Sequence, residues 1–349
     1  MDLITRDAEY MTRSIRKRKK NRLRRVFLML FLIFLVAGGG FLYGTDQGLQ
    51  YRRLLVGSVL STQHPQYVKY LRFLLSKSEF DALYDAWKNP KTVESKITEQ
   101  KNNQVAKAAM KPSLSESIQV ETVNTANFTA KVMIIPDSTT VHLVASKYSY
   151  KGEALSDLIK ENNAIAGINA GGFVDKGGTG SGGQMLGIVI SNGNVLSGGD
   201  RNTPQLVGGF LKDGEFITGN YSVKQLLKLG VREAVSFGPQ LIVNGVNRVS
   251  ANLDGAWGWA PRTAIGQRQN GSVVMIITDG RFYWNKTHRG ASMSDMAHLF
   301  EKYNAVNAIA MDGGGSTTMI KNGELLLKPA TSTRVGMRYL PNAWVVIPH

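Results

Sequence analysis

The chain of 349 residues contains no cysteine, which excludes disulfide bridges, a thiol nucleophile and a cysteine-ligated metal centre. Histidine is scarce too, and none of the five histidines belongs to a zinc-binding HExxH motif. Neither a GxxxxGK[ST] phosphate loop nor a GxSxG nucleophile turn occurs in the sequence. Any catalytic chemistry is therefore expected to come from carboxylates, arginines, hydroxyl groups and backbone amides.

Positive charge is concentrated at the N-terminus, directly before a long apolar run. Residues 1–25 contain ten Lys/Arg and three Asp/Glu, which is +7 of the total net charge of +16. Residues 26–43 carry no charge, and a helix of this length spans about 27 Å, close to the hydrocarbon thickness of a membrane. We expect a basic cytoplasmic tail (1–25) and a transmembrane anchor (26–43), with cleavage as a signal peptide as the alternative.

The same charge asymmetry predicts the topology of the protein. An excess of Lys/Arg on the N-terminal side of a single apolar helix predicts a cytoplasmic N-terminus and an extracytoplasmic remainder. The basic stretch is explained by this topology, so binding to nucleic acid is not expected. The predicted location is the cell membrane, crossed once.

The remainder of the chain divides into two parts by composition. Residues 44–118 combine helical periodicity with a polar stretch and predict a helical spacer and linker, with a packed accessory subdomain as the alternative. Residues 119–349 are rich in short strands, with a hairpin expected at Asp137–Ser138 and tight turns at Asn192–Gly193, Asp213–Gly214 and Asn244–Gly245. Capping boxes predict helices that begin after Ser76, Ser222 and Ser292. We expect an α+β fold, with a mixed β-sheet domain and flanking helices.

Four segments of this domain share one form, in which an apolar run ends in glycine and polar residues. They are residues 164–173 (AIAGINAGGF), 260–266 (APRTAIG), 273–281 (VVMIITDGR) and 308–318 (AIAMDGGGSTT). Polar residues at several strand ends can meet at one edge of a sheet, which is a common place for a binding site. The alternative interpretation is four unrelated turns.

In this order the segments resemble the phosphodiester glycosidase family. The matching motifs are Ile168–Phe173, Phe237–Gly245, Pro261–Gly266, Asp279–Arg281 and Met311–Thr318, and the resemblance runs from about Gln119 to the C-terminus. It implies hydrolysis of the glycosidic bond of a sugar-1-phosphodiester, with a phosphate-containing glycan or glycoconjugate as substrate. With a membrane anchor, the expected setting is cell-surface polysaccharide or exopolysaccharide. The alternative is a noncatalytic factor that binds an anionic polymer of the cell envelope.

The resemblance and the residue types together predict the site. Asp279 and Asp312 are the candidate catalytic acids, because carboxylates can activate water or stabilise positive charge at the anomeric carbon. Arginines suit bidentate phosphate contacts, and glycine amides can form an anion-binding nest. The candidate substrate-binding residues are Asn169, Gly171, Gly172, Arg262, Arg281, Gly313, Gly314, Gly315, Ser316, Thr317 and Thr318, with Arg338 as a weaker phosphate candidate.

Other side chains and a metal ion remain open at this stage. His288 is interpreted as a solvated loop histidine, with acid–base chemistry as the alternative. Trp257 and Trp259 are expected to pack, with stacking on a sugar as the alternative. The sequence requires no cofactor; a divalent cation at Asp279 or Asp312 fits the preference of hard cations for carboxylate oxygens, although no dedicated ligand loop is visible.

Overall fold

A computed structural model describes residues 2–62, 64–97, 114–175, 180–281, 287–331 and 336–349. The chain is divided into two compact units, residues 1–52 and residues 53–349. The helices are α1 (Asp2–Gly44), α2 (Asp46–Leu60), α3 (Lys77–Lys88), α4 (Leu114–Ser117), α5 (Leu155–Glu161), α6 (Val223–Lys228), α7 (Ala251–Trp257) and α8 (Met293–Lys302).

The first unit is dominated by α1. Within this helix, residues Lys19–Gly44 form a stretch of 26 residues with a mean hydropathy of 2.5 in its most apolar window, and none of that window is buried. Among the described residues it is the one helix that is long and apolar enough to cross a membrane. It contains the run 26–43 that the sequence singles out.

The described residues of the second unit form seventeen strands in three sheets. They are β1 (Gln119–Asn124), β2 (Thr129–Ile135), β3 (Val141–Ala145), β4 (Ala166–Asn169), β5 (Val189–Ser191), β6 (Asn194–Ser197), β7 (Gln205–Leu211), β8 (Phe216–Tyr221), β9 (Val231–Ser236), β10 (Gln240–Val243), β11 (Val246–Asn247), β12 (Arg262–Arg268), β13 (Val273–Thr278), β14 (Ala305–Met311), β15 (Met319–Lys321), β16 (Glu324–Leu325) and β17 (Asn342–Val346). The strand orders are β1-β2-β13-β12-β14-β10-β11, β16-β15-β4-β17-β3 and β6-β5-β9-β7-β8. The predicted α+β class is confirmed; the strand pairs among the described residues are all antiparallel, whereas the sequence predicted mixed sheets.

The seven-stranded sheet is buried on both faces, and its sequence shows why. Successive side chains of a strand point to opposite faces. Along β13, Val273, Met275 and Ile277 pack into the core shared with the other two sheets. Val274 and Ile276 pack into a second core, to which α8 contributes. Burial of each of these side chains stabilises the fold by about 1.5–3 kcal/mol.

Local turn and capping signals account for many of the element boundaries. Capping boxes are present at Ser76, Ser222 and Ser292, as predicted. Three tight turns join paired strands where the sequence places them, at Asn192–Gly193, Asp213–Gly214 and Asn244–Gly245. Each of these signals acts over four residues or fewer, so no distant contact is needed to interpret it.

The hairpin predicted at Asp137–Ser138 is wrong, because β2 and β3 belong to different sheets. The Asp137 side chain instead accepts a hydrogen bond from the amide of Thr139 and starts a 3₁₀ turn. The guanidinium of Arg232 donates to the carbonyl oxygens of Ser138, Thr139 and Val141. Arg232 thus stabilises the connection between β2 and β3. A prediction from the residues of the turn alone could not include this distant contact.

Residues that the sequence assigned to a spacer contact the sheets directly. The amide of Ser95 donates to the carbonyl of Thr218 at 2.8 Å, and the side chain of Gln240 bonds both backbone groups of Val93. Helix α3 packs against α7. These contacts correspond to the packed alternative for residues 53–97; residues 98–113 of the predicted linker lie outside the described residues.

Candidate active site

Three neighbouring strands of the seven-stranded sheet bring candidate residues to one edge. Strand β12 begins at Arg262, which pairs with Thr278 at the end of β13, and Thr263 pairs with Met311 at the end of β14. The residues that follow β13 and β14 are Asp279 and Asp312. Antiparallel pairing therefore places the end of β13, the start of β12 and the end of β14 side by side.

The fourth segment joins this edge through Asn169 at the end of β4. Its buried side chain donates to the carbonyl oxygen of Asp312 at 2.5 Å and accepts from the hydroxyl of Thr263 at 2.8 Å and the amide of Thr318 at 3.1 Å. The amide of Asp312 in turn donates to the carbonyl of Ala170. The expected convergence of the four segments is present in the backbone, and Asn169 links three of them.

Asp312 lies in a polar group that we call the Asp312 cluster, formed by Asp175, Asp312, Ser316 and Arg338. Burial raises the pKa of the Asp312 carboxyl to about 6, and the negative charge of Asp175 acts in the same direction. The Ser316 hydroxyl, the positive charge of Arg338 and the amide of Gly313 oppose this rise. Of these opposing groups, the Ser316 hydroxyl lowers the pKa most. A carboxyl with a pKa near neutrality is suited to proton transfer.

Arg338 is held in place by both charge and packing. It forms an ion pair with Asp175, whose side chain is only 1% exposed. Asp175 also accepts from the amide of Gly180 at 3.0 Å, and the Arg338 guanidinium lies 5.4 Å from the ring centre of Phe173. A Cβ added at Gly180 would lie 2.7 Å from Nε of Arg338, so the lack of a side chain there makes room for the arginine. Arg338 is thus the cation next to Asp312.

The glycine turn after Asp312 is shaped mainly by its own backbone bonds. Gly314 has a φ of +59° and donates to the carbonyl of Pro261 at 2.8 Å. The amides of Ser316 and Thr317 donate within the turn, to Gly313 and Gly314. Within the part of the chain that the structure describes, the buried hydroxyl of Thr317 makes no hydrogen bond. A buried hydroxyl without a partner is costly, so Thr317 is a candidate for ligand contact.

The remaining turn residues of the prediction lie beside this group. The amide of Gly171 donates to Oδ1 of Asn342 at 2.7 Å, and a Cβ at Gly172 would lie 3.3 Å from the ring of Phe237. Gly315 lies against the side chain of Arg338. Thr318 is fully buried, and its hydroxyl donates to the carbonyl of Ser316. Contact between these residues and a substrate stays a prediction.

Asp279 has neighbours different from those of Asp312. Its carboxylate accepts from the amide of Thr129 at 2.7 Å and pairs with Nδ1 of His288 at 2.9 Å. Thr129 belongs to β2, on the opposite side of β13 from β12 and β14, so this carboxylate is directed away from Asp312. Two strand spacings separate the backbones by about 10 Å. The interpretation of His288 as a solvated loop residue is wrong, because its side chain is 17% exposed and bound to Asp279.

The two predicted phosphate arginines donate to backbone carbonyls. Arg262 is buried and bonds the carbonyl oxygens of Trp257, Gly258 and Ala291. Burial lowers the pKa of Arg262 to about 9, and the nearby charge of Arg281 acts in the same direction. Arg281 donates to the carbonyl of Ser58 at 3.1 Å. Contact of either arginine with phosphate stays a prediction.

The two tryptophans before β12 also have packing partners. The guanidinium of Arg262 lies 5.8 Å from the ring centre of Trp257, which packs 6.4 Å from Phe237. Arg289 lies 5.1 Å from the ring centre of Trp259. Within the described ranges, no group of three His, Asp or Glu side chains is arranged to hold a metal ion.

Sequence reasoning missed Asp175 and ranked Arg338 low. The two residues are 163 positions apart, so nothing in the local pattern around either one indicates their ion pair. The available signal was the position of Asp175 two residues after the Ile168–Phe173 motif, just before a glycine-rich stretch.

Comparison with known proteins identifies proteins that are similar in sequence to this chain. The sequence profile described as phosphodiester glycosidase matches residues 162–347, which include every candidate site residue. The bovine N-acetylglucosamine-1-phosphodiester alpha-N-acetylglucosaminidase is 31% identical over 176 residues, covering 46% of this chain and 32% of the bovine protein. An uncharacterized SPbeta prophage-derived protein of Bacillus subtilis, YomE, is 29% identical over 187 residues, covering 50% of this chain and 27% of YomE. The chain thus spans about a third of the length of the curated relatives it matches.

A solved structure shows the same fold. The catalytic domain of zebrafish N-acetylglucosamine-1-phosphodiester alpha-N-acetylglucosaminidase, auto-inhibited by its pro-peptide, aligns with a TM-score of 0.57 at 18% identity. The alignment covers 74% of this chain and 88% of that domain.

Proposed function

The chain belongs to the phosphodiester glycosidase family, and from this premise we propose that it hydrolyses the glycosidic bond of a sugar-1-phosphodiester at the Asp312 cluster. In this reaction the oxygen of water bonds to the anomeric carbon of the sugar. The bond between that carbon and the phosphate oxygen breaks, and its electron pair leaves with the phosphate. The products are a free sugar and a phosphomonoester.

One observation carries the assignment: Asp312, with its pKa raised to about 6, lies beside the ion pair of Arg338 with the buried carboxylate of Asp175. At pH 7 about nine in ten Asp312 carboxyls are ionised and can accept the proton of the attacking water. The departing phosphomonoester has a second pKa of about 6, so it leaves as an anion and needs little protonation. We therefore assign Asp312 as the general base on the sugar side of the scissile bond.

Arg338 is the proposed phosphate-binding residue. A phosphodiester carries one negative charge, and cleavage adds a second at the leaving oxygen, so a guanidinium there stabilises the transition state more than the ground state. Asp175 holds the guanidinium in place and is a positioning residue. The buried hydroxyls of Ser316 and Thr317 supply further donors.

We assign structural roles to the other candidate residues at this edge of the sheet. The pairing of Asp279 with His288 and Thr129 supports a role in holding the loop after β13. The three carbonyl bonds of Arg262 support a role in fixing the turn before β12. Asn169 ties Asp312 to β4 and keeps the general base in position.

We further propose that the enzyme is anchored in the cell membrane and acts outside the cytoplasm. The apolar stretch Lys19–Gly44 and the basic residues that precede or begin it support this orientation. In that setting the substrate is a phosphate-containing surface polysaccharide or exopolysaccharide, and an anionic glycan complements the net charge of +9 (16 minus 7) that follows the N-terminal tail.

The test is hydrolysis by the full chain, purified in detergent, of defined sugar-1-phosphodiesters in oxygen-18 water. We expect free sugar and phosphomonoester, with the label in the sugar. The ratio kcat/KM should rise with pH through about 6, because the ionised Asp312 is the active form. The variant Asp312→Asn should lose at least about a hundredfold in kcat. Asp200→Asn, which changes an exposed turn aspartate, is the matched control.

The possible outcomes separate this proposal from its alternatives. Label in the phosphate would indicate cleavage of the P–O bond and a phosphodiesterase. An Asp312→Asn enzyme as active as the Asp200→Asn enzyme would remove Asp312 from catalysis. Binding of an anionic polymer without product from any substrate would favour the noncatalytic envelope factor.

A further inference from the structure

A short segment at the start of the second unit exposes a row of aromatic side chains. Residues Pro65–Tyr70 and Arg72–Leu74 form two consecutive 3₁₀ turns. Because a 3₁₀ helix has three residues per turn, side chains three positions apart line up on one face. Tyr67, Tyr70 and Phe73 form such a row, which we call the aromatic row, and they are 53%, 64% and 75% exposed.

The opposite face of the segment explains why the aromatic row is held outward. Val68, Leu71 and Leu74 form a second row at the same spacing, and each of them is half-buried. Their partial burial, beside the exposure of the aromatic row, gives the segment a less exposed row and a more exposed row. Tyr67 and Tyr70 stack with ring centres 6.4 Å apart, so part of the row is ordered before it meets any partner. A large exposed apolar patch of this kind is typical of an interaction surface.

Positive charge accompanies the row. Between His64 and Ser78 the sequence has three cations, Lys69, Arg72 and Lys77, and no acidic residue. The Lys69 ammonium lies 5.0 Å from the ring centre of Tyr70, and the Arg72 guanidinium lies 4.9 Å from that of Phe80. Aromatic rings together with Lys and Arg are the side chains that favour the membrane–water interface and anionic lipid headgroups.

The place of the segment in the chain identifies the surface that it meets. Pro65 follows Gly44, the end of the apolar helix, by 21 residues. A segment so close in the chain to a membrane span is exposed to a high local concentration of lipid. We propose that the aromatic row inserts at headgroup level into the membrane in which the chain is anchored. The inference rests on the anchored topology of the proposed function and is independent of the catalytic assignment.

The lack of cysteine makes a direct test possible, because one introduced cysteine carries a fluorophore to a single place. Phe73→Cys reports on the aromatic row, and Tyr150→Cys is the matched control, since Tyr150 is 74% exposed and lies elsewhere on the second unit. Each full-chain variant is labelled with an environment-sensitive nitrobenzoxadiazole dye and reconstituted into vesicles of phosphatidylglycerol and phosphatidylcholine. Quenching by lipids with a spin label near the headgroup is then measured.

We expect the dye at position 73 to be quenched at least about twofold more than the dye at position 150. Adding Lys69→Gln and Arg72→Gln should reduce the difference in anionic vesicles and leave it unchanged in pure phosphatidylcholine. Equal quenching at both positions would overturn the proposal. A blue shift at position 73 without lipid quenching, growing with protein concentration, would assign the row to a second copy of the chain and would also overturn it.

A wash with alkaline carbonate separates failure of this inference from failure of the anchor. Chain that stays with the vesicles while position 73 remains unquenched keeps the anchor and rejects docking of the aromatic row. Chain that washes off rejects the anchor itself.

Discussion

Replacing Asp312 with asparagine should stabilise the protein at neutral pH while it removes activity. The folded-state pKa of Asp312 is about 6, compared with 3.8 for an unperturbed aspartate, because burial disfavours the charged form. A difference of about two pH units, at 1.36 kcal/mol each, is a penalty of about 3 kcal/mol for the ionised form. Asp312 retains partial solvent access, so this value is an upper limit.

The sign of the pH dependence follows from the direction of the pKa change. The folded chain binds the Asp312 proton more tightly than the unfolded chain, so stability falls as pH rises from about 4 to about 6, and the penalty persists above that range. Asparagine is neutral at every pH and close to aspartic acid in shape. The gain from Asp312→Asn should therefore reach up to about 3 kcal/mol at pH 7.5 and vanish near pH 4.

The assay is urea unfolding of the full chain in detergent at both pH values, followed by tryptophan fluorescence, since Trp344 is fully buried. Asp200→Asn is the control: hydrogen bonds from Thr203 and Asn202 lower the pKa of this exposed aspartate, so no gain at neutral pH is expected. An Asp312→Asn chain that loses stability at pH 7.5, or gains equally at both pH values, would refute a desolvated carboxylate at this position.

Four other substitutions test residues at the same edge of the sheet. Gly180→Ala should lower kcat/KM at least about tenfold, because the new Cβ would lie 2.7 Å from Nε of Arg338. The control is Gly193→Ala: Gly193 has a similar φ, but its added Cβ meets nothing within 4 Å, so this variant should lose stability and keep its activity. Equal activities of the two variants would contradict the prediction. Arg338→Lys should reduce activity with little change in Tm. Arg262→Lys should instead lower the free energy of unfolding by about 1–3 kcal/mol, because buried carbonyl oxygens lose their hydrogen-bond donors. Urea unfolding and kinetic assays of both variants check these expectations. Asp175→Asn should lower kcat more than it raises KM, because a displaced Arg338 no longer stabilises the charge that develops in the transition state; a rise in KM with kcat unchanged would contradict this role.

The success of the sequence predictions follows the range of the interactions involved. The capping boxes at Ser222 and Ser292 and the turn at Asn192–Gly193 involve neighbouring residues, so their spacing alone is informative. The hairpin expected at Asp137–Ser138 failed because Arg232, more than ninety positions away, bonds the carbonyls of that turn. A prediction from local turn propensity does not take contacts with distant residues into account.

At the candidate site, too, local features could be predicted and contacts between distant residues could not. The sequence predicted that strand ends near Asn169, Arg262 and Asp312 would meet, because each combines an apolar run with glycine and polar residues. It could not rank the side chains at that edge. Whether an arginine bonds a carboxylate or a backbone carbonyl depends on where its acceptors lie after folding, as Arg338 and Arg262 show.

The amino-acid sequence by itself determined the exclusion of thiol chemistry, the basic and apolar N-terminal segments, the α+β class and the segments that form the site, because composition, periodicity and spacing are local properties. The tertiary structure decided which carboxyl has a raised pKa, that Asp175 is the partner of Arg338, and that Asp279 pairs with His288. These features depend on burial and on charges brought together from distant positions, and both exist only once the chain is folded.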